Sequence, residues 1–112
     1  MSLTHILLMT APLHAVAETA AYLAAAKREG LSDEDRTAIV DQIAADPTAG
    51  DIVRESGGVR KIRYGGPGGY RVMAAYLGEA IPVFLLSVLA KGSRANFTRD
   101  EVHRMRDATK AL

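Results

Sequence analysis

Three cations recur around one glycine-rich turn, Lys61 and Arg63 before it and Arg71 after it. Over residues 59–64 the side chains alternate, with Arg60, Ile62 and Tyr64 on one face and Val59, Lys61 and Arg63 on the other. Gly65-Gly66-Pro67-Gly68-Gly69 is a turn by composition. If that turn is symmetric, Tyr64 pairs with Tyr70, Arg63 lies opposite Arg71, and Lys61 is within diagonal reach. Like charges directly opposite destabilise a ladder by a few tenths to about 1 kcal/mol. A sheet that keeps them gains from an anion held between them. In a shifted register they are solvated long side chains instead. Lys91 and Arg94, just after the apolar segment 81–89, reach toward the same end. Cations so placed stabilise the added charge of a pentavalent phosphoryl transition state. They bind any backbone phosphate equally well, and spacing alone does not separate the two uses. Phe97 either packs ahead of a helix cap or stacks on a base beside the basic cluster.

Other chemistries find little support. His5, His14 and His103 are scattered, with no carboxylate at metal-ligand spacing, so no metal is expected. The chain has no cysteine, which removes thiolate sites and disulfides. The glycine turn lacks the Lys-Ser/Thr ending of a phosphate-binding P-loop and joins two strands. Ser87 and Ser93 have no evident base and orienting acid.

The elements that must position these cations follow from periodicity. Residues 4–10 are short and aliphatic, a first strand stopped by Pro12. Leu13, Val16, Ala20, Leu23, Ala24 and Lys27 step by three and four, predicting a helix with a narrow apolar stripe that Gly30 ends. Ser32 and Asp35 approximate a capping box for a second helix, with Ile39, Ile43 and Val40 inward and Pro47 beyond its end. Residues 70–77 form the return strand of the hairpin, and 81–89 are apolar on both faces, as a central strand requires. Thr98 and Glu101 make a second capping box, opening a helix with Val102, Met105 and Leu112 on its apolar side. The fold class expected is α+β: two N-terminal helices on one face of an antiparallel sheet, a C-terminal helix, and a partly open second face.

A chain of 112 residues, 48% hydrophobic and 24% charged, is a single globular domain over residues 1–112. The longest apolar run, residues 80–90, is far short of the roughly 20 residues that span a bilayer, so no membrane role is expected. The apolar stretch near the amino terminus lacks a preceding Lys or Arg and is interrupted by Pro12 and His14, unlike a signal peptide. A cytoplasmic location is therefore expected. The net charge of +1 hides an asymmetry. Residues 1–51 carry three basic and eight acidic side chains, net −5, and residues 52–112 carry eleven basic and five acidic, net +6. Such a dipole bears on partners rather than on fold.

Ala49-Gly50-Asp51-Ile52-Val53, residues 57–64, Pro67-Gly68-Gly69-Tyr70-Arg71-Val72 and residues 84–91 resemble, in that order, the RelE/HigB-type toxins of bacterial toxin–antitoxin pairs. The resemblance runs from Ile39 onward and implies a ribosome-dependent endoribonuclease that cuts messenger RNA without metal or cofactor. In that chemistry the ribose 2′-hydroxyl attacks the adjacent phosphate, leaving a cyclic phosphate and a free 5′-hydroxyl. Carried over by motif, Lys61, Arg63, Arg71 and Lys91 are the catalytic set, with Lys61 or Lys91 assisting deprotonation and Arg63 and Arg71 holding the developing charge. Arg60, Arg94 and Phe97 are the flanking RNA contacts, while Arg99, Arg104, Arg106 and Lys110 solvate the last helix. The implied partners are messenger RNA, the ribosome and a cognate antitoxin of helix-turn-helix type. Two departures stand out. Phe97 occupies the place where the family often has a tyrosine, and the turn is glycine where related turns are longer and basic. The alternatives are a ParE-like poison of DNA gyrase, on the same fold, and a nucleic-acid-binding module without catalysis.

Overall fold

A computed structural model describes residues 13–94 and 96–112. The strand expected at residues 4–10 lies outside the described residues. The chain runs β1 (Val16–Glu18), α1 (Ala20–Arg28), α2 (Asp33–Ala45), β2 (Asp51–Ile52), β3 (Arg60–Tyr64), β4 (Tyr70–Ala75), β5 (Val83–Ala90) and α3 (Arg99–Lys110). The fold is α+β, with five strands in the order β1-β5-β4-β3-β2.

The sheet is mixed rather than antiparallel. β1 pairs with β5 in parallel, Val16 facing Val83, while β2–β3, β3–β4 and β4–β5 are antiparallel. β1 also corrects the first helix, which starts at Ala20 and not at Leu13. Thr19 makes the break. Its hydroxyl donates to the Leu85 carbonyl at 2.6 Å and accepts the Tyr22 N–H at 3.1 Å, so it fixes the strand and caps the helix together. The buried face of α1 is Tyr22, Ala25 and Ala26, not the Leu23–Ala24–Lys27 stripe. Leu23 is 37% exposed and Tyr22 fully buried, because an aromatic ring buries more apolar area than any aliphatic neighbour.

Gly30, at φ 80°, closes α1. The Leu31 N–H reaches the Ala26 carbonyl and the Gly30 N–H the Lys27 carbonyl, the paired bonds of a Schellman end. The capping boxes of α2 and α3 form as expected, Ser32 with Asp35 and Thr98 with Glu101.

Pleating sorts the core into two. On one face Ile62, Val72, Ala74, Leu85 and Val88 pack beneath α1 and α2, against Tyr22, Ala25, Ile39 and Ile43. On the other, Val59, Met73, Ala75 and Leu86 meet Val102 and Met105 of α3. Helices therefore pack on both faces of the sheet. Leu112, expected on the apolar side of α3, lies past its end and is 52% exposed. No helix among the described residues is long and apolar enough to cross a membrane.

Candidate functional site

The hairpin takes the symmetric register. Tyr64 faces Tyr70, Arg63 faces Arg71, and Lys61 faces Met73. Gly65, Gly66 and Gly68 have φ between 69° and 84°, backbone that side chains disfavour. Gly69 is required for a different reason, since a Cβ there would overlap the Tyr64 carbonyl oxygen and the Gly65 backbone. The five-residue turn closes only because its closing position carries no side chain.

By register and pleat, Lys61, Arg63 and Arg71 lie on the α3 face of the sheet, Arg63 and Arg71 next to the turn and Lys61 further in, opposite Met73. Lys91 is tied to the turn end, its N–H donating to the Gly69 carbonyl at 2.9 Å. The free edges of the sheet here are sealed by helix side chains. Gln42 of α2 donates to the Arg63 carbonyl at 2.9 Å, and the Glu29 carboxylate at the end of α1 accepts the Ala90 N–H at 2.8 Å. Glu29 also accepts the Ser93 hydroxyl at 2.7 Å, which fixes the turn after Lys91. The Ala90 N–H, against burial and with help from Ser93, holds the Glu29 carboxyl below its ordinary range.

Among the described residues, no ion pair or side-chain hydrogen bond forms at Lys61, Arg63, Arg71 or Lys91. Asp51 faces Lys61 across β2, yet no ion pair joins them. Several other arginines are engaged. Arg36 grips Glu18 through two hydrogen bonds, and Arg99 reaches Glu55 at 2.9 Å. The hairpin cations share that lack of a partner with Lys27, Arg54, Arg104 and Lys110, and what distinguishes them is that Arg63 and Arg71 face one another across a ladder.

The expected flanking contacts separate from this group. Arg60 lies on the opposite face, its Nη1 donating to the Thr48 carbonyl at 2.7 Å. Arg94 grips Glu101 through both terminal guanidinium nitrogens, at 2.6 and 2.5 Å, at the start of α3. Arg94 first of all, aided by the Thr98 backbone and hydroxyl against burial, pulls the Glu101 carboxyl down to about 2. Phe97 packs, partly buried, against the core cluster beneath α3. Each of these three has a tertiary partner that spacing does not reveal. Of the histidines, His14 faces Tyr76 and bonds the Ile81 carbonyl, and His103 bonds Glu55. His5 lies outside the described residues. Among those described, no cluster of His, Asp and Glu is suited to a metal.

Glu29 and Gln42 went unnoticed in the sequence. Their partners are 61 and 21 residues away, and no local pattern marks a side chain that caps a distant sheet edge. Two surface hollows lie elsewhere, one lined by Glu18, Asp33, Arg36 and Thr37, the other by His14, Ala44, Pro47 and Tyr76. The cations instead occupy open sheet, a shape suited to a polymer backbone more than to an enclosed small molecule. No protein-family model matches the chain.

Proposed function

We propose that this chain is a toxin of the RelE/HigB type, a metal-independent endoribonuclease that cuts messenger RNA on the ribosome and is neutralised by an antitoxin. One observation carries the reading: Arg63 faces Arg71 across the hairpin, with Lys91 at the same end, Lys61 further along the same face, and no acidic partner holding any of them. Two guanidinia in facing positions supply a fork of donors for a phosphate whose charge grows as the 2′-hydroxyl attacks. Arg stays charged and is a poor proton donor at neutral pH, so proton transfer falls to Lys61 or Lys91. Induced expression followed by primer extension on a cellular transcript tests this. Cleavage within translated message is expected, and intact message with unimpaired growth in the presence of folded protein refutes it.

A second reading is favoured by Phe97. Without a phenol and packed partly buried beneath α3, it supplies no acid, which suits a module that binds phosphates without cutting them. Arg71→Ala separates the two. Cutting should fall by roughly a hundredfold or more if the guanidinium stabilises the transition state, whereas binding alone weakens modestly.

A further inference from the structure

We infer that the anion-binding track does not stop at Lys91 but continues round the open edge of β5 to Arg28, so that the ligand is a single RNA strand longer than the hairpin accommodates. The inference rests on the RNA reading above. Its first support is the joint made by Glu29. By taking the Ala90 N–H and the Ser93 hydroxyl, that side chain pins the end of α1 to the end of β5, where Lys91 begins. Arg28, immediately before Glu29, is thereby brought to the Lys91 end of the sheet, although the two are far apart in sequence. Glu29 itself is only 9% exposed and points inward. The Arg28 side chain is 62% exposed and its Nε stands 3.8 Å from Glu29, beyond a charge-assisted hydrogen bond, leaving its donors available.

Helix geometry sharpens the choice of residue. Tyr22, Ala25 and Ala26 mark the buried side of α1, and at 3.6 residues per turn Glu29 continues it. Arg28 then sits on the flank of the helix, and Lys27 faces away from the sheet. Among the described residues no strand blocks the path, because β1 covers β5 only opposite Val83, Phe84 and Leu85. A track that passes from a sheet face over its edge bends within one small domain. A duplex is too stiff for that bend, and a single strand is not.

The test is the salt dependence of binding, read with labelled oligouridylates of about 4 and about 12 nucleotides, lengths within the range a small domain covers. Removing one cation that neutralises a phosphate should flatten the slope of log K against log salt by about 0.7 for a single strand. Arg28→Ala should flatten it by that amount on the longer probe and leave the shorter unchanged. Lys27→Ala, in the same helical turn, should alter neither. Overturning results are an Arg28→Ala slope equal to wild type on the longer probe, or an equal fall in both variants, which reports only the general field of the helix end. If Arg63→Ala and Arg71→Ala flatten the slope while Arg28→Ala does not, this inference fails and the RNA reading stands. If the wild-type protein binds neither probe at low salt, this inference falls, and primer extension alone decides the RNA reading.

Discussion

Arg63 and Arg71 face one another with nothing acidic between them, and that arrangement sets stability against function. Replacing one with a neutral side chain of similar length removes the repulsion. Arg63→Gln should raise stability by a few tenths to about 1 kcal/mol in urea melts while cleavage falls about a hundredfold. A variant that loses stability would show the guanidinium to be structural. Glu101 poses the opposite case. Its carboxyl sits at about 2 instead of 4.5, held by Arg94 and by the cap at Thr98. A depressed carboxyl stabilises the fold fully above its unfolded value and loses that contribution as pH falls toward its folded one. Stability should therefore decline between about pH 4.5 and pH 2, with Glu29 and Glu55, also held low, contributing in the same direction. In Glu101→Gln this decline should shrink by about 1 to 2 kcal/mol, allowing for solvent screening at a partly exposed pair. Denaturant titrations at several pH values read it directly.

At the scale of elements, the hairpin was legible and the first helix was not. A short turn between alternating strands leaves few registers, so the Arg63–Arg71 facing followed from the turn and the pleat alone. The capping boxes were equally local. By contrast, Val16 became a strand because Val83 lies beside it, and Tyr22 rather than Leu23 was buried because the sheet offers a slot for a ring. Arg60 and Arg94 looked like free cations until Thr48 and Glu101 came within reach. The turn makes a sharp prediction. Gly69→Ala should cost roughly 2 kcal/mol or more, since its Cβ meets backbone on two sides. Gly68→Ala, in open space but at φ 77°, should cost only about 1 kcal/mol. Tyr22→Phe acts on the helix. The Tyr22 hydroxyl is buried without a partner, and burial first of all pushes its pKa up to about 12. Removing it should raise stability by roughly 1 kcal/mol in a thermal melt.

For the molecule as a whole, the excess of positive charge in residues 52–112 resolves, among the described residues, into cations with partners, such as Arg94 and Arg99, and a larger group without. Arg63, Arg71 and Lys91 lie together at the turn end of the hairpin, and that is the seat they offer an acidic partner. Its association rate should fall steeply with ionic strength, as steering across open water requires. The parallel pairing of β1 with β5 has a consequence in time. The β3–β4 hairpin joins residues a few positions apart and can close early, whereas Val16 must wait for Val83. During synthesis the cations face one another before the seam that completes the sheet exists. Pulsed hydrogen exchange should protect β3 and β4 first. The Thr19 and Val83 amides, which bond across the seam, should be protected last. The order in which the chain leaves the ribosome thus separates the moment the hairpin forms from the moment the domain is locked.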